Sequence, residues 1–150
     1  MRVFETVADY VAEKGNEIGV SDWLTIDQER VNLFADATGD HQWIHIDPER
    51  TQKELGMGTI AHGYLTLSLL PHLMGQISSV KSATRGINYG SNQVRFTNMV
   101  PVGSRVRCRV KLKDAAPKAG GTQVVNEVTM EIEGQERPAM IAETISLIFE

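Results

Sequence analysis

Residues 62–80, HGYLTLSLLPHLMGQISSV, constrain the fold more than any other stretch of the chain. At helical spacing, Tyr64, Leu65, Leu67, Leu69, Leu70, Leu73 and Met74 point in nearly every direction around the axis. A helix that is apolar all round has to be enclosed. Pro71 falls inside it and predicts a kink. From about residue 84 the period switches to two. GSRVRCRVKLKD (103–114) sets Val106, Cys108, Val110 and Leu112 on one face, and residues 122–133 alternate through Val128, Met130 and Ile132. Gly120-Gly121 marks a turn, and a Gly134–Pro138 connection leads to a last strand over 139–149. Strands joined by short turns make an antiparallel sheet, and the apolar helix supplies the cover its inner face needs. The expected fold class is α+β: one domain over residues 1–150, with an antiparallel β-sheet wrapped around a long central helix.

Ahead of that helix the chain carries strong punctuation. Residues 7–14 read as a short helix ended by Gly15, and 17–25 as an extended segment with Trp23. Asp27 is an N-cap signal, followed at helical spacing by Val31, Phe34, Ala35 and Thr38, with Gly39 as the stop. Asp47-Pro48 opens a second, polar helix over 48–55, stopped by Gly56. Asp40 and His45 fall on the loop between these helices, within GDHQWIHID (39–47).

Composition closes off several classes of function. A hydrophobic content of 41% argues against disorder, and a net charge of −4 spread along the chain argues against nucleic-acid binding. Arg105, Arg107, Arg109, Lys111 and Lys113 form a basic run, but its strict alternation reads as a solvated strand face. A polyanion contact is the alternative. The lone Cys108 alternates with Val106 and Val110, as a buried small hydrophobe would. No stretch of ~20 apolar residues is present to span a membrane. The N-terminal residues lack a secretory signal's apolar core, so a cytoplasmic protein is expected.

Asp40, His45, Asp47 and His62 invite two chemical readings. His45-x-Asp47 with His62 has the residue types of a two-histidine, one-carboxylate metal site. Against it, Asp47 is needed to cap the helix at Pro48, and His62 opens a helix as its capping residue; no metal is expected. The other reading pairs Asp40 and His45 for acid/base work, one carboxylate holding a water and one imidazole exchanging a proton near neutral pH. Both residues bonding only to local backbone remains open from spacing alone. Gly63 lets a ligand approach the start of the buried helix, where free amides could stabilise charge developing on a carbonyl oxygen; tight packing is its alternative role.

FADATGDHQWIHIDPER (34–50) followed by IAHGYLTLSL (60–69) resembles the MaoC-like family of (R)-specific enoyl-CoA hydratases, in particular its single-domain branch similar to nodulation protein N. The family pattern runs Gly-Asp-x-Asn-Pro-aliphatic-His, then a small residue, then a downstream His-Gly. Gly39, Asp40, Ile44, His45, His62 and Gly63 fit it, with Thr51 where Ala or Ser is usual. The resemblance extends over the whole chain. It implies a hot-dog fold, Asp40 and His45 as the catalytic pair, and the Gly63 N–H as oxyanion donor. It implies a homodimer with an acyl-CoA site near the interface. Gln42-Trp43 replaces the family's Asn-Pro, so Gln42, with His62, is expected to contact substrate.

The reaction implied is reversible syn hydration of a trans-2-enoyl thioester, with no cofactor and with CoA as the substrate's carrier. Two rivals are an acyl-CoA thioesterase, which would release free CoA, and a non-catalytic acyl-thioester-binding protein.

Overall fold

Asp27 and Asp47 each accept a hydrogen bond from the backbone N–H three residues on, at Arg30 (2.8 Å) and Arg50 (3.0 Å). With left-handed Gly39 and Gly56 as stops, they delimit the two helices at the expected bounds. The computed structural model describes all 150 residues. In chain order the elements are β1 (Arg2–Phe4), α1 (Val7–Val11), β2 (Glu17–Val20), β3 (Leu24–Thr25), α2 (Gln28–Thr38), α3 (Trp43–Ile46) and α4 (Pro48–Leu55). There follow α5 (Gly63–Ser68), α6 (Leu70–Ile77), β4 (Ser78–Val80), β5 (Arg85–Phe96), β6 (Arg105–Lys118), β7 (Gly121–Ile132) and β8 (Met140–Phe149).

The main sheet is antiparallel in the order β2-β6-β7-β8-β5, with β3 also pairing with β6. It curls around α5 and α6, a hot-dog fold. The period-two face is the inner one. Val106, Cys108, Val110 and Leu112 of β6, with Val128, Met130 and Ile132 of β7, are almost fully buried and pack in one cluster with Leu65, Leu69, Leu70, Leu73 and Ile77. Burial pushes the Cys108 thiol up to about 12.

Three local expectations need correction. The central helix is not continuous over 62–80. It breaks at Leu69 because Pro71 offers no N–H to the Leu67 carbonyl, and residues 78–80 leave it to pair in parallel with β1. Nor is it covered all round: Tyr64, Ser68, Pro71, His72 and Gly75 form an open stripe, and Tyr64 is 69% exposed. One sheet can enclose only one side of a helix. The first helix is shorter than 7–14; its Thr6–Asp9 capping box holds a single turn and a half before the chain goes into turns.

The basic run is a solvated face, and its charge is matched. Arg105 pairs with Glu133, Arg107 with Glu131 (2.6 Å), Arg109 with Glu131 (2.9 Å) and Glu17 (2.8 Å), and Lys113 with Glu143. Exposed pairs of this kind add little stability, because water screens them. Their larger effect is to leave little unneutralised charge for a polyanion.

Candidate active site

Between α2 and α4, where the sequence suggests open loop, residues 43–46 wind into the single turn α3. One turn is too short to leave a periodic signature. Its hydrogen bonds run His45 N–H to the Gln42 carbonyl (3.0 Å) and Asp47 N–H to the Trp43 carbonyl (3.0 Å). Trp43 packs under the Arg50 guanidinium, 4.3 Å from the ring centroid, so α3 is anchored to α4 by side chains at the position of the family's proline. Thr51 is buried, its hydroxyl satisfied by the Asp47 and Pro48 carbonyls at 3.0 and 3.1 Å.

The residues flanking the central helix lie against this turn. Ile60 gives its N–H to the Ile44 carbonyl (3.1 Å), and its own carbonyl accepts from Nδ1 of His45 at 2.7 Å. A carbonyl can only accept, so Nδ1 carries the proton and Nε2 is left with its lone pair. His45 lines a pocket of about 410 Å³ together with Gly63, Thr66, Phe96, Asn98 and Arg137. No backbone or side-chain acceptor takes the Gly63 N–H, which stands at the first position of α5.

His62 has a different place from the one expected. It is 2% exposed, between Phe34 (centroids 5.0 Å apart) and His45, whose ring it stacks on at 3.8 Å. It therefore cannot reach substrate in the pocket. Its side chain does not cap α5 either; Nε2 donates to the main-chain carbonyl of Asp40 at 3.0 Å, and Nδ1 is buried without a partner. His62 is a brace behind the pair, touching His45 by its face and Asp40 by its edge. Gln42 is exposed at the start of α3, makes no capping bond, and is not among the residues lining the pocket.

The side-chain donor atoms of Asp40, His45 and His62 lie within 4.8 Å of one another. Asp47, by contrast, is spent on its helix cap. The two imidazoles are poorly arranged for a shared ion. Metal bonds lie in the ring plane, and these rings stack face to face, centroids 3.8 Å apart and planes inclined by only 26°. A carboxylate and an imidazole no more than 4.8 Å apart can instead hold one water between them, each by a bond of about 2.8 Å.

Burial is the largest influence on His45 and holds its pKa below the ordinary range; the adjacent His62 acts in the same sense, while the Ile60 carbonyl and Asp40 oppose it. The resting ring is neutral at pH 7. A pKa depressed on folding adds stability above the unfolded value of about 6.5, and that stability is lost as pH falls through the folded value. His41, raised by its 2.8 Å contact with Asp36, works in the opposite direction, so the variant must isolate His45. The urea midpoint of the wild type, relative to His45→Gln, is expected to fall between about pH 7 and pH 5. An unchanged difference would show that His45 is not held neutral.

Comparison with known proteins agrees with this architecture. The family described as "MaoC like domain" matches residues 9–135. The chain is 54% identical to 3-hydroxyacyl-thioester dehydratase Z of Mycobacterium tuberculosis H37Rv, covering 97% of both chains. It is 45% identical to nodulation protein N of Rhizobium leguminosarum bv. viciae, covering 95% of this chain and 91% of that one. The solved structure of R-hydratase PhaJ1 from Pseudomonas aeruginosa superposes with a TM-score of 0.72 at 21% identity, covering 92% and 83% of the two chains, and so shares the fold. The chain thus belongs to the MaoC-like family of dehydratases and is a hydro-lyase with the hot-dog fold.

Proposed function

We propose that the protein interconverts trans-2-enoyl and (R)-3-hydroxyacyl thioesters by syn addition and loss of water, with Asp40 and His45 as the acid/base pair. One observation carries this reading: the Asp40 carboxylate lies within 4.8 Å of a ring nitrogen of His45, and His45 lines one pocket with Gly63, whose helix-terminal N–H is unpaired, in a chain of this family. Nδ1 of His45 is committed to Ile60, so Nε2 is the atom that exchanges a proton. In hydration, Asp40 takes a proton from the water that His45 also holds. The water oxygen bonds to the β-carbon, the proton passes from Asp40 to Nε2 of neutral His45, and the imidazolium so formed delivers it to the α-carbon, which returns the pair to its resting state. The Gly63 N–H faces the thioester oxygen as negative charge builds there. Dehydration runs the same path backward and starts from neutral His45, the form that burial favours. CoA is the proposed carrier, and no further cofactor enters this scheme.

Loss of enoyl-thioester absorbance on adding protein to crotonyl-CoA and to a longer trans-2-enoyl-CoA tests the reading. The expected product is (R)-3-hydroxyacyl-CoA without free thiol. Release of CoA would mean a thioesterase, and a bound but unchanged substrate a binding protein.

The working unit proposed is a homodimer. Strand β5 lies at the sheet edge and is exposed over almost its whole length, with Ile87 (46%), Tyr89 (53%) and Phe96 (44%) open beside Tyr64 of α5. A long edge of that kind pairs with another chain unless something blocks it. Light scattering is expected to give twice the chain mass, and Ile87→Lys a monomer; a wild-type monomer at micromolar concentration would remove this part of the proposal.

A further inference from the structure

Gln28, the first residue of α2, looks from the sequence like an ordinary polar residue in a first helical turn. Its side chain is half-buried and every polar atom on it is engaged. Nε2 donates to the main-chain carbonyl of His45 at 2.7 Å and to Oδ1 of Asn32 at 2.9 Å. Oε1 accepts from the hydroxyl of Thr59 at 2.5 Å. The His45 carbonyl can only accept, which fixes which end of the amide faces it.

The consequence lies in what Thr59 precedes. Ile60, the next residue, carries the carbonyl that holds Nδ1 of His45, and its N–H holds the carbonyl of Ile44. Thr59 and Ala61 are themselves tied to Val102 and Val100 through main-chain bonds of 2.9 and 2.8 Å. A closed circuit results. It runs from the His45 carbonyl to Gln28, from Gln28 to Thr59, along the chain to Ile60, and from Ile60 to the His45 imidazole. A one-turn helix leaves its last carbonyls without intrahelical partners, so α3 cannot set its own position. It is placed from outside, by this circuit together with the Trp43–Arg50 contact to α4.

We propose that Gln28 is a positioning residue for His45, fixing the distance between the backbone of α3 and the segment that orients the imidazole. This rests on the reading of His45 as a catalytic residue. Misplacing a catalytic group by about 1 Å costs on the order of a hundredfold in rate.

The test uses the purified full chain with crotonyl-CoA. Gln28→Met keeps length and helix preference but removes all three hydrogen bonds. It is expected to lower kcat by about ten- to a hundredfold with KM changed less than about twofold. A proton NMR signal from the His45 imidazole N–H, assigned by its loss in His45→Gln, is expected to move or vanish in Gln28→Met. Thr59→Val, which breaks only one link, is expected to lose less, and Thr59→Ser, which keeps the hydroxyl, to recover most of that loss. If Gln28→Met does not fold, the Thr59 pair decides by the same two readouts. A Gln28→Met protein with wild-type kcat and an unmoved N–H signal would overturn the inference. So would a loss that follows only the fraction folded, with the folded fraction fully active. Turnover by His45→Gln would instead bring down the catalytic reading beneath it, so the two failures are separable.

Discussion

Asp40→Asn and His45→Gln are each expected to lower kcat by about two to four orders of magnitude, the usual contribution of a positioned acid or base. Neither change should disturb the fold. His62 holds Asp40 by its main-chain carbonyl, so the brace survives loss of the carboxylate. The side chain of Asp40 is half exposed and accepts only one long bond within the chain, from the Gln42 N–H at 3.4 Å. If the two residues share one water and one proton circuit, the double variant will be little worse than either single one, since groups acting as a unit lose their effect together. Absorbance kinetics on the three variants measure this. A single variant within tenfold of wild type would remove that residue from the proton path, and fully additive losses would mean the two act independently.

Gly63→Ala is expected to lower kcat by about a hundred- to a thousandfold, the range for displacing one oxyanion donor. Alanine keeps the N–H, so the loss must come through geometry. A Cβ at position 63 would stand 2.9 Å from two carbons of the Phe96 ring, closer than real contacts allow. Either the ring or the start of α5 has to give way. Phe96 sits edge-on to Tyr64 at the open side of the helix, with centroids 5.8 Å apart. The double variant Gly63→Ala with Phe96→Leu is therefore the informative one. Recovery of most of the activity would show that the single variant failed by displacing the amide. A double variant as inactive as the single would show that substrate itself needs the space a methyl group fills, and would shift the weight of Gly63 from donor to clearance.

The parts of the fold that depend on local chemistry are legible in the sequence. Asp27 and Gly39, and Asp47-Pro48 and Gly56, bound their helices because caps and stops act within a few residues. The alternation on β6 and β7 marks the sheet and its inner face. What escapes the sequence is long-range. The order of the sheet puts β5 beside β8 and not beside β6, which follows it in the chain, and hairpin spacing cannot reveal that. The helix over 62–80 reads as fully enclosed because periodicity records which directions are apolar, not whether one chain can cover them all.

The site divides in the same way. Asp40, His45 and Gly63 stand out because their residue types suit the chemistry. The sequence points His62 to the wrong task, since stacking on His45 depends on a contact spanning 17 positions. Gln28 carries no signal, because nothing about a glutamine in a first turn announces that it reaches the carbonyl of His45.

The burial of Cys108 has a practical side. The chain holds one thiol, fully enclosed in the core and with its ionisation pushed to about 12. Only the thiolate attacks a disulfide reagent, so the native protein is silent to such dyes. Any colour developing while intact protein and an acyl-CoA are mixed then comes from liberated CoA, which lets a single cuvette separate hydration from hydrolysis. The same thiol becomes reactive once the sheet opens. Its labelling rate without substrate is therefore a clock for opening of the core, readable on a protein that carries no engineered label.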